Sequence, residues 1–291
     1  MDTHSLSAFL AVAETGSFSV AAEKLHLTQP AVSKRIAVLE EMLNAKLFDR
    51  VGRTISLTEA GKALLPKAYQ IISTIADTQR EIQNLTGTVA GTLTLATSHH
   101  IGLHRLPPLL KQFTSQYPEV ALDIKFIDSE WAYEGIQQSL VELAVITLSP
   151  SLKTNVISEK IWDDPLVFVA APDHPLTTKT LLELEDLTNF SAIFPGSNTF
   201  THHIVKSLFN EAGLNLNIAM ATNYLETIKM MVAVGLAWSV LPQAMVDDSL
   251  RILPLNTLPI SRQLGYIHHP ERTLSNAAKT FINLLQAAKG I

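Results

Sequence analysis

The stretch Gly16-Ser-Phe-Ser-Val-Ala-Ala-Glu-Lys-Leu-His-Leu-Thr-Gln-Pro-Ala-Val-Ser-Lys-Arg-Ile-Ala-Val-Leu-Glu40 decides the fold. Ser17 is a helix-capping residue, and Ala21, Ala22 and Leu25 fall on one side of the helix it starts. A turn at His26-Leu27 follows. Thr28 caps the next helix, and Pro30 sits in its first turn, where a missing N–H costs little. Val32, Ile36, Leu39 and Leu43 then recur at i, i+4, i+7 and i+11, a spacing that buries one face. Helix, short turn, helix, with small residues where two helices must approach, is the arithmetic of a helix-turn-helix. The face opposite the buried one carries Gln29, Pro30, Ser33, Lys34 and Ala37, with Thr28 at its start. Gln and Ser can bond base edges in a major groove, and Lys can bond a guanine edge or a phosphate. Arg35, Arg50 and Arg53 are placed to meet phosphates, which fix register but carry no base information. Periodicity alone leaves an ordinary three-helix bundle with a polar face equally open.

Outward from this stretch, Leu6, Phe9, Leu10 and Ala13 predict a preceding helix that Gly16 ends. Two β-prone segments between Lys46 and Leu57 flank Val51-Gly52 and predict a small hairpin, a wing beside the groove. Thr58 caps a long helix reaching about Leu85. Along it Leu64, Ile71, Thr78 and Leu85 form one seven-residue series and Ala68, Ile75 and Ile82 the other, a heptad seam suited to pairing with a second copy. Pro66 predicts a kink in that helix. Gly87 and Gly91 bracket a hinge.

From Thr92 onward strands alternate with helices: strand 92–97, helix 102–116, strand 120–127, helix 130–140, strand 142–146. A second series has strands at 166–171, 190–194, 215–221 and 236–241, with helices at 199–213 and 224–234. Strand 263–268 and helix 274–288 end the chain. Such alternation predicts an α/β layered domain with a mainly parallel sheet.

Composition narrows the function classes. At 291 residues the chain is long for one domain. Its 47% hydrophobic and 17% charged residues exclude a disordered chain. With no Cys there is no disulfide framework and no thiolate metal site or nucleophile. No run approaches the roughly 18 apolar residues of a membrane span, and the N-terminus lacks a secretory pattern, so a cytoplasmic protein without membrane contact is expected. The net charge of −5 is unevenly spread: residues 1–90 carry nine basic and nine acidic side chains, so all the acid excess lies beyond them. A DNA-binding half that is neutral overall must concentrate its positive charge on one edge, at Lys34, Arg35, Arg50 and Arg53. Few phosphate contacts per subunit then require two or more subunits on adjacent half-sites. A nucleophile elbow, a phosphate-binding glycine loop, a dinucleotide fingerprint and a zinc-protease His pair are all absent, so no enzyme and no cofactor are expected. A plain solute-binding protein is the alternative reading, but it leaves the first ninety residues without a task.

Residues Gly16 to Glu40, together with Leu47-Phe-Asp-Arg50 and Leu57-Thr-Glu-Ala-Gly61, resemble the N-terminal signature of the LysR-type transcriptional regulators. Gly235-Leu-Ala-Trp-Ser-Val-Leu-Pro242 and the Ser197-Asn-Thr199 turn resemble that family's effector domain more loosely. The resemblance implies a winged helix-turn-helix DNA-binding domain at 1–60, a linker and dimerisation helix at 58–87 and a hinge at 88–91. It implies two α/β subdomains like those of periplasmic binding proteins, one at 92–161 plus 266–291 and one at 162–265. Its implied partners are promoter DNA, a small-molecule inducer, a second copy through the linker helix, a homotetramer overall and RNA polymerase. In the family the positions of Gln29, Pro30, Ser33 and Lys34 contact DNA; Lys34 stands where an Arg is common, and it keeps the charge but loses the bidentate fork.

Ligands of open α/β sheets bind outside the carboxyl ends of the strands. Ser98-His99-His100 follows the first strand and opens a helix, and Pro195 to Thr201 opens another, so two positive helix ends suit an anion. Ser129 and Thr147 follow the next two strands. Ser98, His99, His100, Ser129, Thr147, Thr199 and Thr201 are therefore the candidate effector residues; the resemblance independently implies Ser98, His100, Ser129 and Thr199. Trp131 and Phe200 are expected as an apolar wall. For any single Ser or Thr among them, helix capping competes. Two departures from the family pattern stand out: Ser139 replaces a turn glycine, with Glu142 keeping an acid, and Phe200 stands where relatives often have Arg. Six of the ten histidines form adjacent pairs, His99-His100, His202-His203 and His268-His269. Neighbours on a helix point about 100° apart, so no metal is expected at such a pair.

Overall fold

The computed structural model describes residues 1–51, 54–151 and 155–289, with all their side chains but those of residues 50, 51 and 54. The turn of the expected wing, with Arg53, and the Arg50 side chain lie outside what is described. The chain divides into two compact units, Met1–Thr86 with Gln138–Leu140, and Gly87–Gln137 with Val141–Ile291.

In the first unit α1 (Thr3–Thr15), α2 (Phe18–Lys24) and α3 (Gln29–Leu43) precede a hairpin of β1 (Phe48–Val51) and β2 (Thr54–Leu57), and α4 (Glu59–Asn84) follows. Local capping dictates these ends. The Ser17, Thr28 and Thr58 side chains each accept a backbone N–H in the first turn of α2, α3 and α4. Gly16, at φ +61°, closes α1 in the left-handed conformation. Phe9, Ala21, Val32, Ile36, Leu39, Leu47 and Ala68 form the shared core. Leu43 departs from the expected buried face and is 39% exposed, because α3 ends there and Asn44 turns left-handed. Helix α4 continues through Pro66. Its heptad series splits: Ala68 is buried in the unit's own core with Leu64 and Ile71 packed beside it, whereas Ile75, Ile82 and Leu85 are exposed. The Tyr69 hydroxyl donates to Glu14 at 2.9 Å and ties α4 to α1.

The second unit begins with β3 (Gly91–Thr97), α5 (His99–His104), α6 (Leu106–Gln116), β4 (Val120–Phe126), α7 (Ser129–Gln137) and β5 (Leu143–Thr147). The one helix expected over 102–116 is two, because Pro107 and Pro108 lack the N–H groups that would join them. Next comes β6 (Ile157–Ala170), which starts nine residues earlier than the spacing predicts. Then follow α8 (Leu184–Thr188), β7 (Ala192–Phe194), α9 (Phe200–Glu211), β8 (Ile218–Ala221), α10 (Leu225–Ala233), β9 (Ser239–Pro242), β10 (Arg251–Ile252), β11 (Ile260–His268) and α11 (Asn276–Ala287).

The main sheet has the order β10-β6-β11-β5-β3-β4, with β9 also pairing β6. It is mixed rather than mainly parallel. Only β3–β4 and β3–β5 are parallel within it, while β11 runs antiparallel to both β5 and β6. A separate parallel pair, β7–β8, serves the second lobe. The antiparallel pair β6–β11 is common to both lobes. Ile161 and Trp162 of β6 join the core around Leu93, Leu95 and Phe281, whereas Leu166 and Phe168 of the same strand join that around Phe194 and Trp238. The sequence boundaries drawn at 161/162 and 265/266 fall inside these two strands. Ser139 adopts φ +62°, a left-handed conformation that glycine takes more readily than serine. Glu142 accepts the Ser275 N–H at 2.5 Å, ahead of α11.

Gly61 makes a sharp test of the first unit. A Cβ there would lie 2.2 Å from the Leu47 carbonyl oxygen and 2.9 Å from Leu57 Cδ2. Gly→Ala inside a helix ordinarily gains up to about 1 kcal/mol, and overpacking costs about 1–3 kcal/mol. Because the blocking atom is backbone, the clash wins. Gly61→Ala is expected to destabilise the protein by about 1–2 kcal/mol in urea unfolding; a rise in the unfolding midpoint would contradict this packing.

Candidate functional site

Of the DNA-binding candidates, Gln29, Pro30, Ser33 and Lys34 lie on one strip of α3, with Thr28 capping the helix and Arg35 on another side of it. Thr28, Gln29, Pro30 and Lys34 are exposed, and Ser33 and Arg35 are partly so. Gln29 Nε2 donates to Ser33 Oγ at 3.0 Å, which pre-sets both side chains one helical turn apart. Val32, Ile36 and Leu39 hold the opposite face in the core, so the strip cannot rotate inward.

The effector candidates converge in the second unit. Ser98, His99, His100, Ser129, Thr147, Thr199 and Thr201 all line one cavity of about 60 Å³, between the starts of α5 and α7 on one side and of α9 and α10 on the other. A wider hollow of about 410 Å³ adjoins it and shares His99, Asp128 and Asn223 with it. Phe200 lines the cavity as expected. Trp131 does not; it is 61% exposed, because Ala132 and Tyr133 take the inward positions of α7.

Several hydroxyls have structural work. Thr199 Oγ1 donates to the Gly196 carbonyl at 2.8 Å and accepts the His202 N–H at 3.3 Å, capping α9. Ser129 Oγ accepts the Thr147 N–H at 3.1 Å, fixing the end of β5 against α7. Ser98 precedes α5, and its side chain makes no capping bond. The α9 N-terminus, expected to face an anion, already holds one: Glu130 Oε1 accepts the Phe200 N–H at 2.6 Å. Burial pushes the Glu130 carboxyl above its ordinary value, and the bond from Phe200 opposes that shift.

The sequence reading missed the strongest charge in the cavity. Arg262, on β11, is buried; its Nε donates to Asp164 at 2.6 Å and its Nη1 to Thr201 at 2.9 Å. Its Nη2 is buried without a hydrogen-bond partner. The only signal was an arginine alone among the apolar and neutral residues of β11, with its counter-charge on a different strand. Also missed are Asp128, which accepts from Asn223 Nδ2 at 2.7 Å, and Glu226 on α10. Around Glu226, His104 Nε2 lies 2.9 Å from Oε1, His100 Nδ1 3.8 Å from Oε1, and His99 Nδ1 3.5 Å from Oε2. Burial, then the Arg262 charge, pushes the His100 imidazole down to about 4. Burial raises the Glu226 carboxyl, but its own backbone N–H and the histidines outweigh that and hold it below the usual range.

The pair His202-His203 diverges. His202 is buried with Nδ1 at 3.0 Å from the Pro195 carbonyl, whereas His203 is exposed. Polar contacts thus bridge the two walls of the cleft, Glu130 to Phe200, Asp128 to Asn223, and His99, His100 and His104 to Glu226.

Comparison with known proteins places this geometry. The family model for bacterial regulatory helix-turn-helix proteins of the lysR family matches residues 3–62, and that for the LysR substrate binding domain matches residues 86–290. The transcriptional activator CmpR of Synechocystis is 33% identical over 290 residues, covering 98% of this chain and 94% of CmpR. A full-length OxyR variant of Pseudomonas aeruginosa shares the fold at a TM-score of 0.70 and 24% identity, over 99% of this chain and 94% of that one. The regulatory domain of Synechocystis CcmR in complex with 2-PG matches at a TM-score of 0.62 and 26% identity, over 69% of this chain and 98% of that one.

The buried pair yields a stability prediction. Asp164→Ala leaves the Arg262 guanidinium buried without its counter-charge, which costs roughly 3–5 kcal/mol. Urea unfolding should show a loss of that size; a loss below about 1 kcal/mol would mean that solvent reaches the guanidinium.

Proposed function

The chain belongs to the LysR family of bacterial transcriptional regulators, and from that premise we propose that its inducer is a small anion held at Arg262. The protein is a DNA-binding regulator modulated by a small molecule. The observation that carries the anion reading is the unpaired Nη2 of Arg262, a charged donor buried at the cavity wall. A carboxylate or phosphoryl oxygen there would make the charge-assisted bond that this donor lacks. The Ser98 hydroxyl and the neutral His100 ring stand beside it. Because Glu130 already occupies the α9 N-terminus, the ligand need not bring a second anionic group to that end. The chain does no chemistry of its own and works in the cytoplasm, on promoter DNA.

On the DNA side α3 is the reading helix. Gln29, Ser33 and Lys34 meet base edges, Pro30 and Thr28 seat the helix start, and Arg35, Arg50 and Arg53 meet phosphates. The seven-residue series of α4 pairs two subunits, and two such dimers form a tetramer that engages RNA polymerase at the promoter. The first unit covers residues 1–60 with its linker helix at 58–87, and residues 88–91 are the hinge to the two effector subdomains.

Two measurements test this. Calorimetric titration with a panel of small carboxylates and organophosphates, 2-PG among them, should find a binder that Arg262→Lys weakens about tenfold or more, since a hydrogen bond to a charged group is worth about 1.5–3 kcal/mol. Equal affinity in both proteins would sink the anion reading. In mobility shifts on the DNA upstream of its own gene, Ser33→Ala should narrow the gap between specific and unspecific DNA. Arg53→Ala should weaken both alike and lower the salt slope by about 1; matching effects of the two variants would refute this division of labour.

A further inference from the structure

The group around Glu226 has the composition of a metal site. His100 and His104 are four residues apart on α5, so both rings lie on one helix face, with centroids 4.8 Å apart. Glu226 comes from α10, on the facing wall. One donor atom from each of the three lies within 4.8 Å of the others. Oε1 of Glu226 is shared, 2.9 Å from His104 Nε2 and 3.8 Å from His100 Nδ1. Two atoms of this cluster, His100 Nδ1 and Glu226 Oε2, are buried without a hydrogen-bond partner. A buried polar atom left unpaired costs about 1–3 kcal/mol, so two in one cluster imply a species that would satisfy them.

We propose that His100, His104 and Glu226 bind one divalent transition-metal ion, of the zinc type, which clamps α5 to α10 across the mouth of the cavity. Two imidazoles and a carboxylate are the ligand set of open zinc sites, with the fourth position left to water. The same set excludes calcium and magnesium, which take oxygen ligands. Bonds of about 2.0–2.1 Å put tetrahedral ligands about 3.3 Å apart. The two spacings to Glu226, 2.9 and 3.8 Å, bracket that value, and all three donor atoms lie within 4.8 Å of one another, so binding would draw the two imidazoles together. His99, 3.5 Å from the other carboxylate oxygen, orients Glu226 from outside the ligand set. The adjacent pair His99-His100 is thus not the chelate; the pairing is His100 with His104.

The test uses the untagged full-length chain and zinc alone. Isothermal titration should show one ion per chain. His104→Ala and Glu226→Gln should each lower the affinity about tenfold or more, whereas His269→Ala should leave it unchanged. Cobalt substitution should give the visible absorption of a four-coordinate site, lost in the same two variants. The His104 side chain is 44% exposed, so its truncation spares the core. No binding by the unaltered chain, a loss below tenfold in both ligand variants, or a loss confined to His269→Ala would each overturn the site.

Discussion

The ion pair between Asp164 and Arg262 is the constraint on which the effector unit turns. The two residues face each other across β6 and β11, the strands that belong to both lobes. Two charges in that position cost several kcal/mol each in lost hydration, and their attraction offsets this only in good geometry. A bond of 2.6 Å from Nε, with Thr201 taking Nη1, supplies that geometry. A slip of one residue would turn Arg262 to the other face of the sheet. The pair therefore specifies the register of the shared strands and, with it, where Nη2 points. One lobe supplies Ser98 and His100 to that point, the other Thr199 and Thr201.

The two walls of the cleft are joined by the protein's own charged groups. Glu130 reaches the first amide of α9, Asp128 holds Asn223, and Glu226 sits among three histidines. Each contact joins one wall to the other. A ligand can shift the protein between conformations only through a difference in affinity for them. Here the difference must arise at the groups left open, the Arg262 donor and the atoms around Glu226, because the α9 amide and the Thr199 hydroxyl are already committed. The bland reading of Thr199 and Ser129 as structural hydroxyls and the functional reading of Arg262 hold side by side in one cavity.

The DNA-binding unit was legible because its signals are local. Caps at Ser17, Thr28 and Thr58, the glycine stop at Gly16 and the apolar spacing of α3 are each written within a few residues. Placement at strand ends and helix starts likewise brought seven polar residues to one cavity: Ser98 directly follows β3, Ser129 lies just beyond β4, Thr147 ends β5, and Thr199 and Thr201 stand at the start of α9. What escaped depends on distant pairing. Arg262 and Asp164 are 98 residues apart, and nothing near either marks a partner. The early start of β6 and the antiparallel course of β11 escaped for the same reason: alternation of elements reveals neither strand direction nor a strand that crosses between lobes. His104 escaped because adjacency is what makes a histidine pair conspicuous in a sequence, whereas helical geometry favours the pair one turn apart.

The heptad seam of α4 illustrates how one periodic pattern can serve two ends. Its early members Leu64, Ala68 and Ile71 pack into the chain's own helical core, so they are not free to meet a second copy. Its later members Ile75, Ile82 and Leu85 are 39%, 64% and 86% exposed. Pairing of two subunits through this helix must therefore draw on its second half, a seam of about one and a half heptads. Isolated coiled coils that short are weak, since each buried aliphatic side chain contributes only about 1.5–3 kcal/mol against the cost of association. A dimer resting on it needs further contacts, from the helix-turn-helix side or from a second pair of subunits. Residues 1–90 are neutral overall, with nine basic and nine acidic side chains, so a single subunit brings no net positive charge to DNA. Core packing thus leaves only the second half of α4 exposed and apolar, at Ile75, Ile82 and Leu85.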